Sequence, residues 1–199
     1  WHGSTARPWR LPVLMLARRV KGLDTDYVGG DNFTGSVTAT NHLLVDHGAR
    51  RPAFIGGLVY STAREERLGG FLSAVGALGV KVPVRNRPAC EPDRAVARKV
   101  ATDLLARDPK IDAIVCLNDV VAFGVIDAVA DAGLQVGRDV RVIGFDDVQD
   151  ARRARPALAS MAVPAESAGR RAAQLLLNRI NGSAGGPEGV SAGRFRRYP

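Results

Sequence analysis

Short apolar runs of β-type residues alternate along this chain with longer stretches whose apolar residues recur every three or four positions. Val13-Leu14-Met15-Leu16 reads as a strand. A helix is predicted over Asn32–His47, with Asp31 or Asn32 as its N-cap and Val37, Thr40, Leu43 and Leu44 on the buried face. Gly48 closes it. Ala53–Gly57 is a second strand running into a glycine turn. Leu68, Phe71, Leu72, Val75 and Leu78 then form one apolar stripe, and Gly79 ends that helix. Val80–Val84 is read as a short strand. Ala97, Val100, Ala101, Leu104 and Leu105 mark another helix, with Pro109 just beyond it. Asp112–Leu117 is nearly continuously apolar, as a strand covered on both faces must be. Ala122, Val125, Ile126, Val129 and Ala130 form a further helix, ending near Gly133. Val140–Phe145 is a buried strand and Ser160–Val163 a short strand or crossing segment. The last helix carries Ala168, Ala172, Leu175, Leu176 and Ile180. Beyond Gly182 the periodicity ends, and residues 183–199 read as a loose tail.

Strands alternating with helices through short glycine-marked loops are βαβ units. The fold class is therefore α/β, a doubly wound, mostly parallel sheet. In such sheets ligands sit outside the carboxyl ends of the strands. After Phe145 stand Asp146 and Asp147; after Leu117 stand Asn118 and Asp119. After Gly57 come Tyr60-Ser61-Thr62 and a helix with Arg64 and Arg67. A carboxylate, an amide and a guanidinium at one rim suit a sugar or another small polar ligand. A second reading stays open for each. Asp146, Asp147 and Asp119 could cap the segments that follow them. Arg67 could be a surface charge paired with Glu65 or Glu66.

Composition narrows the function classes. The chain has 199 residues, 46% hydrophobic and 24% charged, ordinary for one globular domain or two modest lobes. No apolar run has the length of a membrane helix. Trp1–Arg10 lacks the apolar core of a secretory signal. The net charge of +8 suggests nucleic acid, but its distribution does not. Residues 53–149 hold twelve basic and thirteen acidic side chains, so the excess lies at the two ends. Cys90 and Cys116 are far apart in sequence, without metal-ligand spacing, and are expected to be free thiols. There is no phosphate-binding GxxxxGK[ST] loop, GxGxxG turn or GxSxG elbow. His2, His42 and His47 are read as core or surface residues rather than catalytic ones. No cofactor and no metal are expected, and the rim is read as built to bind, not to react.

The ordered motifs resemble the effector-binding core of the LacI/GalR family of transcription regulators, a periplasmic-binding-protein-like type I fold. Leu11–Leu16 is similar to the family strand written PVVLVD, and Tyr27–Asn32 to the hinge entering the second lobe. His42–Gly57 is similar to HLxxxGHRRIAFIGG, and Arg67–Phe71 to RxxGF. Asp112–Gly124 is similar to DAIxCxNDxxAxG, Val140–Asp147 to VxVIGFDD, and Pro156–Pro164 to PxLTTVxxP. The resemblance spans residues 11 to 182. It implies a cytoplasmic, dimeric, allosteric repressor-type protein whose effector, a sugar-like small molecule, changes its affinity for operator DNA. Carried over position by position, it implies effector contacts at Arg67, Asn118, Asp146 and Ser61. It also places Cys90 where several relatives carry an aromatic that packs on the ligand. Ala17 stands where many relatives have a pocket aspartate. No helix-turn-helix is present, so operator DNA would be met through a segment outside this chain. The resemblance implies a piece of a longer protein: 1–30 a remnant of an N-terminal lobe, 31–163 a near-complete C-terminal lobe, and 164–182 a crossing back. An extracytoplasmic sugar-binding protein of the same fold is the alternative.

Overall fold

The computed structural model describes residues 11–20 and 22–181, together with the backbone of 195–196. The readings of Trp1–Arg10 and of most of the 183–199 tail lie outside the described residues. Two compact units divide the chain. One gathers the described residues of Trp1–Asp31 and Pro164–Ser191, the other those of Asn32–Val163 and Ala192–Pro199.

In the first unit, strands β1 (Leu14–Leu16) and β2 (Asp26–Val28) pair in parallel, with Met15 opposite Tyr27. Helix α6 (Ala165–Ile180) packs on both strands. Its Ala168, Ala172 and Leu175, one above another at helical spacing, form a small core with Val28. Ile180, placed by spacing on the same stripe, is exposed. Arg179 forks onto Asp26 at 2.7 and 2.8 Å, tying the end of α6 to β2.

The second unit is a five-stranded sheet in the order β3 (Pro52–Ile55), β4 (Ala113–Cys116), β5 (Arg141–Asp146), β6 (Ala159–Ala162), β7 (Phe195–Arg196). The first four strands are parallel and β7 is antiparallel to β6. Residues 195–196 thus form a strand where sequence pattern suggests a loose end. The register sets Ile55 beside Cys116, Val115 beside Ile143 and Phe145 beside Met161. Every residue of β3 and β4 is buried, which explains their unbroken apolar runs.

Helices α1 (Asn32–Asn41) and α2 (Thr62–Ala77) cover one face, α3 (Arg94–Arg107) and α4 (Asp119–Asp131) the other. Neighbours on β5 show this. Phe145 meets α1 at Gly35, whereas Gly144 meets Asp119 of α4. Successive strand residues point to opposite faces, so the two helix pairs must too. Each pair closes on a glycine. A Cβ on Gly70 would strike the Phe33 carbonyl, and one on Gly124 the Arg94 carbonyl. Both glycines therefore permit close helix approach. The core is filled by Phe54, Phe71, Leu104, Ile114, Ile143 and their neighbours, all fully buried.

Two elements differ from the sequence pattern. The first helix does not run as a regular α-helix to His47. Asn41 is followed by a π-helical turn, His42–Asp46, closed by the His47 N–H on the His42 carbonyl at 3.2 Å. The chain then leaves through Gly48 at φ +67°. The strand expected at Val80–Val84 is not formed. Pro83 has no N–H for a ladder, and Val84–Asn86 makes a 3₁₀ turn. The Asn86 amide there donates to Asp108 at 2.9 Å. The outer edge of β3 is met instead by residues 87–90. Gly56 donates to the Pro88 carbonyl at 3.1 Å, and Gly57 pairs with Cys90. A five-residue helix, α5 (Gln149–Arg153), follows β5; it is too short to leave a periodic signature.

Candidate functional site

Strands β3, β4 and β5 end beside one another, and each passes its carboxyl end to a polar loop. From β3 the chain turns through Gly56 and Gly57, at φ +106° and +79°. A side chain there would collide with Leu117, Val121 or Arg64. This turn launches α2 so that Arg67 reaches the ends of β4 and β5.

Arg67 is the centre of the arrangement. Its side chain is 11% exposed. Nε donates to Asn32 Oδ1 at 2.8 Å, and one terminal nitrogen donates to the Leu117 carbonyl at 2.5 Å. The other lies 3.4 Å from Asp146 Oδ1. The guanidinium also lies over the Phe145 ring. A guanidinium has five N–H groups, so two of them have no partner among the described residues. Burial draws its pKa down from the ordinary arginine value, and the Asp146 charge acts against that fall. Arg67 is not the solvated partner of Glu65 or Glu66. Glu66 instead accepts from the Asn32 amide at 2.6 Å, making Asn32 a bridge between the two α2 residues.

Asp146 ends β5 at φ +108°, and Asp147 follows at φ +55°. Non-glycine residues adopt such values only where their surroundings enforce them. The Asp146 side chain is 39% exposed, against 11% for Arg67. Burial still raises its carboxyl above the usual range, opposed by Arg67. The Asp147 carboxylate is turned to Arg152 at 3.0 Å. Arg152 belongs to α5.

Asn118 and Ser61 serve as helix caps. Asn118 Oδ1 accepts the Val121 N–H at 3.1 Å to start α4, which leaves its amide N–H groups outside the capping bond. Ser61 Oγ accepts the Arg64 N–H in a long contact of 3.4 Å at the start of α2. Asp119 stands at the first position of α4 and does not cap it. Its carboxylate accepts from Val148 N–H and Ser160 Oγ, 2.8 and 2.6 Å away. Arg64 does not join the rim. Its buried guanidinium donates to the Gly56 carbonyl and, at 2.8 Å, to the Arg87 carbonyl, stapling the 87–90 segment to β3. Cys90 lies in that segment, buried, its thiol pushed up by burial against the pull of Arg64. Cys90 and Cys116 are both free thiols. Ala17 belongs to the other unit, at φ +61° after β1.

The structure thus brings Arg67 and Asp146 into direct contact. It adds Asn32, Phe145 and the Leu117 carbonyl, which sequence reasoning missed. Phe145 is apolar in an apolar strand, and a carbonyl leaves no trace in a sequence. Only Asn32 could have been suspected, since it stands at a helix start. No cluster of metal-ligating residues occurs among the described residues, and no described helix is long and apolar enough to cross a membrane. An open groove of about 690 Å³ lies along α3, lined by Arg94, Arg98, Asp103 and Asp127. Arg94 and Arg98 are forked onto Asp127 and Asp131 there, so the groove is a solvated charged face rather than a collecting point for a ligand.

Residues 41–194 match the periplasmic binding protein-like domain family. The HTH-type transcriptional repressor PurR of Pasteurella multocida (strain Pm70) is 31% identical over 173 residues, covering 86% of this chain and 51% of that protein. The HTH-type transcriptional regulator GalR of Escherichia coli (strain K12) is 30% identical over 169 residues, covering 84% of this chain and 49% of that protein. The solved structure of the transcriptional regulator CelR–cellobiose complex superposes with a TM-score of 0.83 at 29% identity, covering 90% of this chain and 55% of that one. The chain spans about half the length of the curated relatives it matches.

Proposed function

The chain belongs to the periplasmic-binding-protein-like domain family, in the form that LacI/GalR-type regulators carry as their effector-binding domain, and from that premise we propose that it senses a small polyhydroxylated effector for a DNA-binding transcription regulator. The observation that carries this reading is Arg67. It is a buried guanidinium at the carboxyl ends of β4 and β5, braced by Asn32, Leu117 and Asp146, with two N–H groups to spare. Arg67 donates to vicinal hydroxyls, Asp146 accepts from them, and the Asn118 amide donates beside them. On this reading Ser61, the cap of α2, and Cys90, paired with Gly57 after β3, add to the effector contacts. This inventory fits a sugar, the ligand class named for the CelR complex.

The relatives are named as transcription regulators, not enzymes. On this reading operator DNA is contacted by a helix-turn-helix segment outside this chain, in a cytoplasmic homodimer. Effector binding changes operator affinity through a coupling between the two sites.

The test is calorimetry and thermal unfolding with mono- and disaccharides, cellobiose among them, and with nucleosides. A ligand held at about 100 times its Kd should stabilise the protein by roughly 2.7 kcal/mol. For a chain of this size that raises Tm by roughly 5–10 °C. Arg67→Ala and Asp146→Ala should each weaken binding by at least about tenfold. If a bound sugar is held equally well by both variants, the site lies elsewhere. If no member of the panel binds the wild type, the sugar-sensing reading fails.

A further inference from the structure

Asp119 does not face the rim, yet three elements converge on its carboxylate. The residue is fully buried at the first position of α4. Oδ2 accepts the Val148 N–H at 2.8 Å, and Oδ1 accepts the Ser160 hydroxyl at 2.6 Å. Ser160 Oγ in turn accepts the Asp147 N–H at 3.0 Å. The two peptide N–H groups after Asp146 are therefore tied to one carboxylate, one directly and one through a hydroxyl. The backbone they hold is the stretch with φ +108° at Asp146 and +55° at Asp147. Strain of that kind persists only where neighbours over-determine it. Room for the carboxylate is built into β5. Gly144 lies beside it, and a Cβ there would overlap Asp119 Oδ1. Capping does not account for Asp119, because Asn118 caps α4.

We propose that Asp119 is a positioning residue for the effector rim: through Ser160 and the Val148 N–H it holds the Asp146–Asp147 turn in the shape that brings the Asp146 carboxylate to Arg67. The inference rests on the reading of Arg67 and Asp146 as effector contacts and reaches one layer behind them.

The latch is sensitive to protons. Burial, helped by the charges of Asp146 and Asp147 on the following turn, pushes the Asp119 carboxyl up to about 6, against its hydrogen bonds from Ser160 and Val148. Arg67 faces it from α2 and Cys116 from β4. A proton taken from solvent turns one carboxylate oxygen from acceptor to donor. The Ser160 hydroxyl then loses its anionic acceptor, so this hydrogen bond to the turn weakens even though the fold as a whole is relieved of a buried charge.

The experiment is nuclear magnetic resonance on the labelled full chain from pH 8 to 4.5, following the amides of Asp147 and Val148 and the Nε–H of Arg67. Wild type, Asp119→Asn, Ser160→Ala and Ser160→Thr are compared without ligand. In the wild type the three signals should titrate together with a midpoint near about 6. Asp119→Asn should abolish that shared titration. Ser160→Ala should speed exchange of the Asp147 amide by about tenfold or more and displace the Arg67 Nε–H, while Ser160→Thr, which keeps the hydroxyl, restores both. If the Asp147 and Val148 amides respond and the Arg67 Nε–H does not, Asp119 holds the turn without positioning the rim, and the proposal is overturned. The wild type alone decides this point, so the test does not depend on any variant folding. No ligand enters the measurement, so a protein that binds none of the sugars leaves this test standing.

Discussion

The guanidinium carbon of Arg67 stands 3.7 Å from the centre of the Phe145 ring. Phe145 is the residue before Asp146, so one strand end supplies both a π face and a carboxylate to the same cation. Each holds a different part of it: the ring meets the guanidinium carbon, and the carboxylate draws on a terminal nitrogen. Phe145→Leu keeps an apolar side chain and removes the ring. It is expected to lower stability by about 2 kcal/mol in urea unfolding, a partly desolvated cation–π contact plus lost packing against α1. Arg67→Lys keeps the charge but not the planar fork that reaches Asn32, Leu117 and Asp146 together. Titration calorimetry with a bound sugar should show an affinity loss above about tenfold.

Gly144 and Asp119 make a mutually dependent pair. Gly144→Ala should destabilise the protein by about 2–3 kcal/mol, because the new methyl overlaps a carboxylate oxygen and presses on Leu158. The cost should shrink by at least about 1 kcal/mol in an Asp119→Ala background, where the oxygen is absent. A double-mutant cycle by urea denaturation measures this. Additive effects would contradict the overlap.

Asp119 also sets a pH dependence of distinct sign. Its folded pKa is raised from 3.8 to about 6, so the folded state holds its proton more tightly than the unfolded one. Its stabilising contribution is fully present below about pH 3.8 and is lost as the pH rises through about 6. The loss is about 3 kcal/mol. Asp108, Asp127 and Asp139 act oppositely. Hydrogen bonds, from Asn86, Arg94 and Arg138 respectively, lower their pKa, so they stabilise above the unfolded carboxylate value and lose that effect as the pH falls through their folded values. These three are common to wild type and Asp119→Asn. The stability of the variant minus that of the wild type should therefore rise by about 2 kcal/mol between pH 4 and 7. A flat difference would show that Asp119 titrates normally.

The contact between α3 and α4 separates packing from charge. Arg94 forks onto Asp127 at 2.7 and 2.8 Å, but its side chain is 62% exposed. Arg94→Ala should change stability by less than about 1 kcal/mol, and salt should reduce even that. Gly124→Ala, between the same helices, forces a methyl into the Arg94 carbonyl and the Ala97 side chain. It should cost about 2 kcal/mol or more and lower Tm accordingly, with little salt dependence.

Much of the fold was legible in the sequence. The stripes of α2, α3 and α4 and the apolar runs of β3, β4 and β5 stand where periodicity placed them, since burial of one face is written residue by residue. No strand forms at Val80–Val84, where three valines alternate, because Pro83 has no N–H for a ladder. The π-helical turn at His42–Asp46 needs a register shift that periodicity over a short helix does not reveal. Strand β2 and helix α5, three and five residues long, are shorter than any period that could announce them.

At the rim, strand-end geometry and ordered motifs brought Arg67, Asn118 and Asp146 to attention. What each does depended on distance. Two arginines three residues apart on α2 parted ways, Arg64 to backbone carbonyls and Arg67 to Asp146. Three aspartates near two strand ends took three partners: Arg67, Arg152 and the Ser160–Val148 pair. By itself the sequence determined an α/β chain, the strand ends where polar groups gather, and the family its motifs resemble. Only the tertiary structure decided which carboxylate meets the Arg67 guanidinium, which one accepts from the turn after β5, and which glycines make room. The reason is physical. Burial pattern is a local property of a helix or strand, whereas a hydrogen bond between Arg67 and Asp146 joins residues 79 positions apart, at a distance set by the packing of every element between them.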